Sequence, residues 1–244
     1  MSFPFVQTLP RPPASESESL DFKRQLSAND GKVDRFEIAK DVAALANTIG
    51  GTLLIGAVAE KNRLVRYEGL TESDAKRAWQ VVEECVRDRC FPGPSLAPKF
   101  HEHDTGTVLG IDVVPSVGPI AVRVKRSETQ IDGGHQYESW LFFERVTSHT
   151  REFSPEQLPM LMNPDLRRKA ILLRAIPQSA IVAIEITNMV DPRAYAVTSV
   201  DELANTVVLS ASDGNVVAMP IDRIETVFRR STGVWCLIAG RGGR

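Results

Sequence analysis

The sequence predicts an α+β protein, a mixed sheet with covering helices followed by a small all-β, barrel-like domain. Three observations carry that expectation. A helical period over residues 34–49 leads through two glycines into TLLIGAVA, an apolar run of strand length. Further helix starts and strand-length runs follow as far as residue 163. Over residues 179–240 only short strands separated by turns remain, the pattern of an all-β unit.

In chain order, residues 1–15 form a proline-rich extended arm, whose fixed φ angles and missing N–H donors suit neither helix nor central strand. Leu20 and Phe22 then alternate with Asp21 and Lys23, which predicts a short half-buried strand with an acid beside a base on its outward face. From Asp34 to Ile49, Phe36, Ala39, Val42, Ala43, Leu45, Ala46 and Ile49 recur at spacings of three and four and mark one buried helix face. Asp34 and Glu37 have the spacing of a capping box, and Gly50 supplies a left-handed exit. Thr52 to Ala59 is apolar without a break, which suits a strand covered on both faces and central in its sheet. Leu64 to Tyr67 reads as a returning strand. Thr71 with Asp74 opens a second helix, and Ala75, Ala78, Trp79, Val82, Cys85 and Val86 form its apolar stripe. Phe91-Pro92-Gly93-Pro94 ends it. Strands are predicted at Thr107–Val114, Ile120–Val124 and Ser139–Val146, with a polar loop over 125–138. Ser154, Pro155 and Gln157 start a helix that closes the first domain, residues 16–163.

A boundary near residue 165 introduces a basic linker over 164–178. Strands predicted at Ile181–Ile186, Tyr195–Thr198, Thr206–Ser210, Val216–Met219 and Val234–Ile238, with Ser212-Asp213-Gly214-Asn215 as a hairpin turn, make up the β-rich domain of 179–240. That domain is the candidate surface for a protein partner or for a homo-oligomer. Residues 241–244 are a basic tail.

At 244 residues the chain is long enough for a core without metal or disulfide staples. Its formal charge of -2 excludes a globally basic binder of nucleic acid, so any polyanion has to meet a local basic patch. Cys85, Cys90 and Cys236 are odd in number and lack framework spacing, which points to reduced thiols. No apolar run reaches the roughly 18 residues of a membrane span, and the first residues lack the basic-then-apolar order of a secretion signal. The expectation is a soluble, cytoplasmic protein with no membrane partner.

Gly51 and Gly56 have the first spacing of a phosphate loop, but Ala57 and Val58 stand where Lys and Ser or Thr are needed, so ATP chemistry is not expected. Cys85, Cys90, His101 and His103 hold the atoms of a tetrahedral zinc site at a poor spacing, and a buried thiol with a solvated loop is the better reading. No Ser or Cys lies in a nucleophile elbow. Glu16 and Asp21 are more suggestive. With a further acid they would hold Mg²⁺ or Mn²⁺ for phosphodiester cleavage, but on a regular strand they point to opposite faces, so they meet only if the chain bends near Ser17 to Ser19. The alternative is an ordinary exposed acid pair with Asp21 beside Lys23. Basic residues gather at Arg123, Lys125 and Arg126, at Arg145 and Arg151, and at Arg167, Arg168 and Lys169. They are candidates for phosphate contacts, the alternative being ordinary solvated charge.

The stretches ESESLDFK (Glu16 to Lys23), ALANTIGG (Ala44 to Gly51), TLLIG (Thr52 to Gly56) and FERVTSHTR (Phe143 to Arg151) together resemble the Schlafen-type, or AlbA-like, domain over about residues 14–163. The resemblance implies nucleic-acid binding and, in some members, metal-dependent endoribonuclease activity on structured RNA such as tRNA. Carried over by position, it implies Glu16 and Asp21 as catalytic acids that hold the metal and Lys23 as a phosphate contact. The third acid's position falls on Ala59, with Glu60 beside it as the substitute. RNA or DNA is the implied partner and Mg²⁺ or Mn²⁺ the implied cofactor. Two readings follow: an endoribonuclease built on Glu16, Asp21, Lys23 and Glu60, and a non-catalytic nucleic-acid-binding or assembly module. Retention of the first two acid positions and of Lys23 favours the former and Ala59 the latter, and the endoribonuclease is the expected function.

Overall fold

The computed structural model describes residues 6, 8–26, 28–29, 32–116, 118–128, 135–163, 166, 181–186, 194–201, 206–211, 213–220, 224–231 and 234–240. They fall into two units, one within Val6–Leu158 and one within Pro159–Arg244. Among the described residues no helix is long and apolar enough to cross a membrane. The class is mixed α+β, as predicted.

The first unit is assembled around α1 (Arg35–Asn47). Asp34 caps this helix, accepting from the N–H groups of Phe36 and Glu37 at 3.0 and 3.2 Å. Glu37 pairs with Lys40 instead of reaching back to the cap. The single buried face predicted for α1 understates its burial, because Ala39, Val42, Ala43, Ala44, Leu45 and Ala46 expose no surface. The many alanines explain it: short side chains let neighbours approach from several sides, and a helix apolar nearly all round is a core helix. At its end the N–H of Gly50, at φ +75°, bonds to the Leu45 carbonyl at 2.9 Å. A Cβ on Gly51 would lie 2.3 Å from the carbonyl oxygen of Ser19, so the glycine there admits the neighbouring strand.

The strands of this unit are β1 (Leu20–Lys23), β2 (Ala28–Asn29), β3 (Lys32–Val33), β4 (Gly51–Ile55), β5 (Ala57–Glu60), β6 (Arg63–Tyr67), β7 (Cys90–Phe91), β8 (Leu96–His103), β9 (Gly106–Val113), β10 (Ala121–Glu128), β11 (His135–Val146) and β12 (His149–Glu152). One sheet has the order β1-β4-β9-β8 and a second the order β12-β11-β10-β7, while β2-β3 and β5-β6 are separate pairs. β4 is central and wholly buried, parallel to β1 and antiparallel to β9. The predicted strand to Ala59 breaks at Gly56, φ +97°, where the chain leaves the sheet to form the β5–β6 hairpin. Helix α2 (Glu72–Arg89) starts at Thr71, whose hydroxyl accepts from the Asp74 N–H at 3.1 Å. A single apolar cluster takes Val42 and Leu45 from α1, Val82 and Cys85 from α2, Leu53 and Ile111 from the first sheet, and Val122 and Phe143 from the second. Phe22, Leu54, Leu64, Tyr67 and Val108 form a second cluster on the other face of β4.

Among the strands that escape the sequence pattern are β8 and β12. β8 carries Pro98 and little alternation, and it lies at a sheet edge, where a missing donor is tolerated. β12 is four polar and charged residues held by pairing to β11. The predicted polar loop is also shorter than expected, since β10 and β11 pair as far as Glu128 and His135. Ladder hydrogen bonds need no apolar side chain, so a polar hairpin extension is silent to hydrophobic periodicity. After β12 the predicted capping box is present, the Ser154 N–H donating to Gln157 Oε1 at 3.0 Å. A 3₁₀ turn, Pro155–Gln157, then leads into α3 (Leu158–Met162).

In the second unit six strands pair antiparallel: β13 (Ile181–Ile186), β14 (Ala194–Asp201), β15 (Thr206–Ala211), β16 (Val216–Pro220), β17 (Ile224–Ser231) and β18 (Val234–Gly240). β17 was not predicted. The β15–β16 turn holds Gly214 at φ +84°, and Asp213 accepts from the Asn215 N–H at 3.0 Å. The strand order β16-β15-β14-β13-β17-β18 is that of an open sheet, with no pairing of β16 to β18 among the described residues. The barrel-like expectation is corrected accordingly: short strands separated by turns suit open and closed sheets alike, and only long-range edge pairing distinguishes them. Arg167, Arg168, Lys169 and residues 241–244 lie outside the described residues.

Candidate functional site

The register of β1 on β4 fixes where the acids point. Asp21 and Lys23 stand beside Leu53 and Ile55, which face the core under α1, whereas Phe22 stands beside Leu54 on the opposite side. The face expected to be outward therefore turns inward, and Asp21 is only 2% exposed. Glu16 reaches the same place through a bend: the Ser17 N–H bonds to the Leu20 carbonyl at 3.0 Å, which reverses the chain. Glu16 Oε1 then accepts from the Phe22 N–H at 3.4 Å.

Two further elements complete the cluster. Arg145 lies on the inward side of β11 with Phe143, and its Nη2 is 2.7 Å from Asp21 Oδ1 and 3.7 Å from Glu16 Oε2. From α1 comes Asp41, whose Oδ2 is 2.7 Å from Lys23 Nζ and whose Oδ1 accepts from Thr150 Oγ1 at 2.8 Å. Lys23 Nζ also lies 3.1 Å from Asp21 Oδ2, at ion-pair distance but off hydrogen-bond alignment. Each of the six carboxylate oxygens of Glu16, Asp21 and Asp41 thus faces a cation or a hydrogen-bond donor.

Asp41 was not singled out from the sequence. The available signal was an Asp inside an otherwise apolar helix, where its propensity is poor and burial demands a partner.

Electrostatics follow from this packing. Burial alone would lower the Lys23 ammonium's pKa, but the Asp21 and Asp41 carboxylates outweigh it and hold the pKa above the usual lysine range. Burial, and then the like charge of Asp21, push the Glu16 carboxyl upward despite the Phe22 N–H and Arg145. A raised carboxyl pKa means that the associated stability is present below the ordinary value of about 4.3 and lost as pH rises through the folded-state value. Glu16→Gln should therefore be no less stable than the wild-type protein at pH 7, and the difference should shrink on acidification. Urea melts at pH 3.5 and 7 measure this.

The remaining predicted residues lie elsewhere. Glu60 ends β5, is exposed, stands opposite Arg63 in the hairpin and lines a cavity with Pro12, Pro13 and Lys61. Ala59 packs towards the Phe22 cluster. Arg151, half exposed, pairs at 2.7 Å with the buried Glu144, which also accepts from Gln157. Arg123 stands on β10, its Nη1 4.0 Å from Glu138. Lys125 and Arg126 follow Val124 on the same strand, opposite Glu138 and Tyr137.

The donor set can be tested against the divalent ion that the family resemblance implies. A hard cation needs free anionic oxygens, and here Lys23 and Arg145 already occupy them. Among the described residues no three acid, His or Cys side chains converge as a metal site requires. The arrangement does not fit Mg²⁺ or Mn²⁺. Zinc fares no better: Cys85 and Cys90 are buried, and burial pushes their thiols up to about 11 and about 12.

Comparison with known proteins adds to this geometry. No curated protein matches the chain. A solved structure, that of the DIP2311 protein from Corynebacterium diphtheriae, is similar at 20% identity and a TM-score of 0.35, over 69% of this chain and 26% of that one. The chain thus spans about a quarter of that protein's length. A family model described as Schlafen, AlbA_2 matches residues 16–154, more than half of the chain, and those residues carry β1, both long helices, the two four-stranded sheets and every member of the Glu16–Asp21–Lys23–Asp41–Arg145 cluster. The chain belongs to the Schlafen AlbA_2 family.

Proposed function

We propose that the protein is a nucleic-acid-binding module in which the buried acid cluster serves as a scaffold and phosphates are met by basic side chains on the surface. Family membership supports nucleic acid as the partner, RNA or DNA. The observation that carries the scaffold role is the partnering of all six oxygens of Glu16, Asp21 and Asp41. Buried ion pairs of this kind hold β1, α1 and β11 in register. With a formal charge of -2, binding has to be local, through Arg123, Arg151 and neighbouring bases such as Lys125 and Arg126.

Binding of labelled tRNA should weaken steeply with salt, because each phosphate neutralised releases counterions. Arg123→Gln with Lys125→Gln should flatten the salt slope by roughly two phosphate contacts and weaken all sequences alike. Titration by fluorescence anisotropy across a salt series measures it. An unchanged slope would move the phosphate contacts to another face.

A second reading, a metal-dependent endoribonuclease, has its own support. Glu16 and Asp21 share Arg145, and Lys23 joins Asp21 to Asp41, so a third acid stands one ion pair away from the first two, whereas Glu60 lies elsewhere. On that reading the cations now on the carboxylates would have to give way to Mg²⁺ or Mn²⁺, and RNA would be cut only when the ion is present.

A further inference from the structure

The side of β7, β10 and β11 turned away from α1 carries a surface that the acid cluster does not explain. Cys90 and Val122 pair between β7 and β10 and point into the core. By strand alternation Phe91, Ala121 and Arg123 project to the opposite side, and Trp140, opposite Arg123 in the β10–β11 register, joins them. Phe91 is 70% exposed and Trp140 49%. Their rings meet edge to face with centroids 6.3 Å apart. Arg123 rises beside them, and its Nε is buried without a hydrogen-bond acceptor. Arg89 donates from Nη1 to the Arg123 carbonyl at 3.3 Å, which brings a second guanidinium to the same strand.

We infer that this face binds single-stranded nucleic acid, bases stacking on Trp140 and Phe91 while Arg123 and Arg89 take the adjacent phosphates. The inference rests on the nucleic-acid reading above and adds which form is bound. Every base has a π-face, so two exposed rings are a sequence-tolerant platform, and a duplex keeps its bases stacked on one another and out of reach. The Arg123 guanidinium beside the rings, 4.0 Å from Glu138, and the Arg89 guanidinium bonded to the same strand supply the positive charge that a polyanion needs.

The test uses the full chain, a labelled oligothymidylate and a duplex of equal length, with anisotropy titrations at one salt concentration. The single strand should bind more tightly than the duplex. Phe91→Ala with Trp140→Ala should weaken the single strand about tenfold or more while leaving the duplex affinity unchanged. Trp140→Phe, which keeps a ring, should retain most of the affinity, and matched thermal melts confirm that the variants are folded. If the double variant binds the oligothymidylate as the wild-type protein does, the stacking inference falls and the broader reading stands. If the wild-type protein binds neither probe, both fall. If it sediments as a dimer that the double variant abolishes, the face is a contact between copies, and the inference is overturned.

Discussion

Arg145→Met should destabilise the first unit by about 3–5 kcal/mol, the cost of leaving a buried charge without its partner. Both members of the Arg145–Asp21 pair have side chains only 3% exposed, so water cannot take over the lost contact. Removing the guanidinium strands Asp21 Oδ1 and takes the nearest cation from Glu16. Adding Asp21→Leu should recover much of the loss, since replacing both members of a buried pair by apolar groups is often neutral. Urea denaturation of the single and double variants checks the expectation. Equal, large losses in both would mean that Asp21 has a further structural role. An Arg145 open to solvent for phosphate contact would give a loss nearer the ~0–1 kcal/mol of a surface pair.

Asn47→Leu should cost at least about 3 kcal/mol, because three buried backbone groups lose partners worth about 1–3 kcal/mol each. The Asn47 amide nitrogen donates to the carbonyls of Ile120 and Phe143 at 2.8 and 3.0 Å, and its oxygen accepts from the Ile120 N–H at 2.8 Å. One side chain thereby ties α1 to the segment entering β10 and to β11. The leucine side chain is close in size, so lost packing contributes little. Thermal and urea melts that show a change of only a few tenths of a kcal/mol would mean that relaxation or water meets the orphaned groups instead.

Legibility in the sequence followed the range of the interactions. Caps and turns were readable because their partners are three or four residues apart: Asp34, Thr71 and Ser154 all cap where expected. The centrality of β4 was readable from its unbroken apolar run, and Gly51 marks the close approach of Ser19. Asn47 sits in the most recognisable motif of the chain, yet its role was hidden, since its partners come from segments that only the tertiary fold brings near. The same limit hid Asp41, and it made Arg145 look like a surface base when alternation along β11 turns it inward beside Phe143. The bend at Ser17 was legible only as a condition for Glu16 and Asp21 to meet, and the backbone satisfies that condition.

The central claim is that the protein holds nucleic acid through its surface while the acid cluster stays a closed ion-pair scaffold. End-labelled tRNA incubated with the full chain in Mn²⁺ or in EDTA, then run on native and denaturing gels, addresses both halves at once. A shifted band on the native gel and intact RNA on the denaturing gel are expected under both conditions. Cleavage that appears in Mn²⁺, stops in EDTA and is abolished by Asp21→Asn in a variant that still binds would contradict that claim and establish the nuclease.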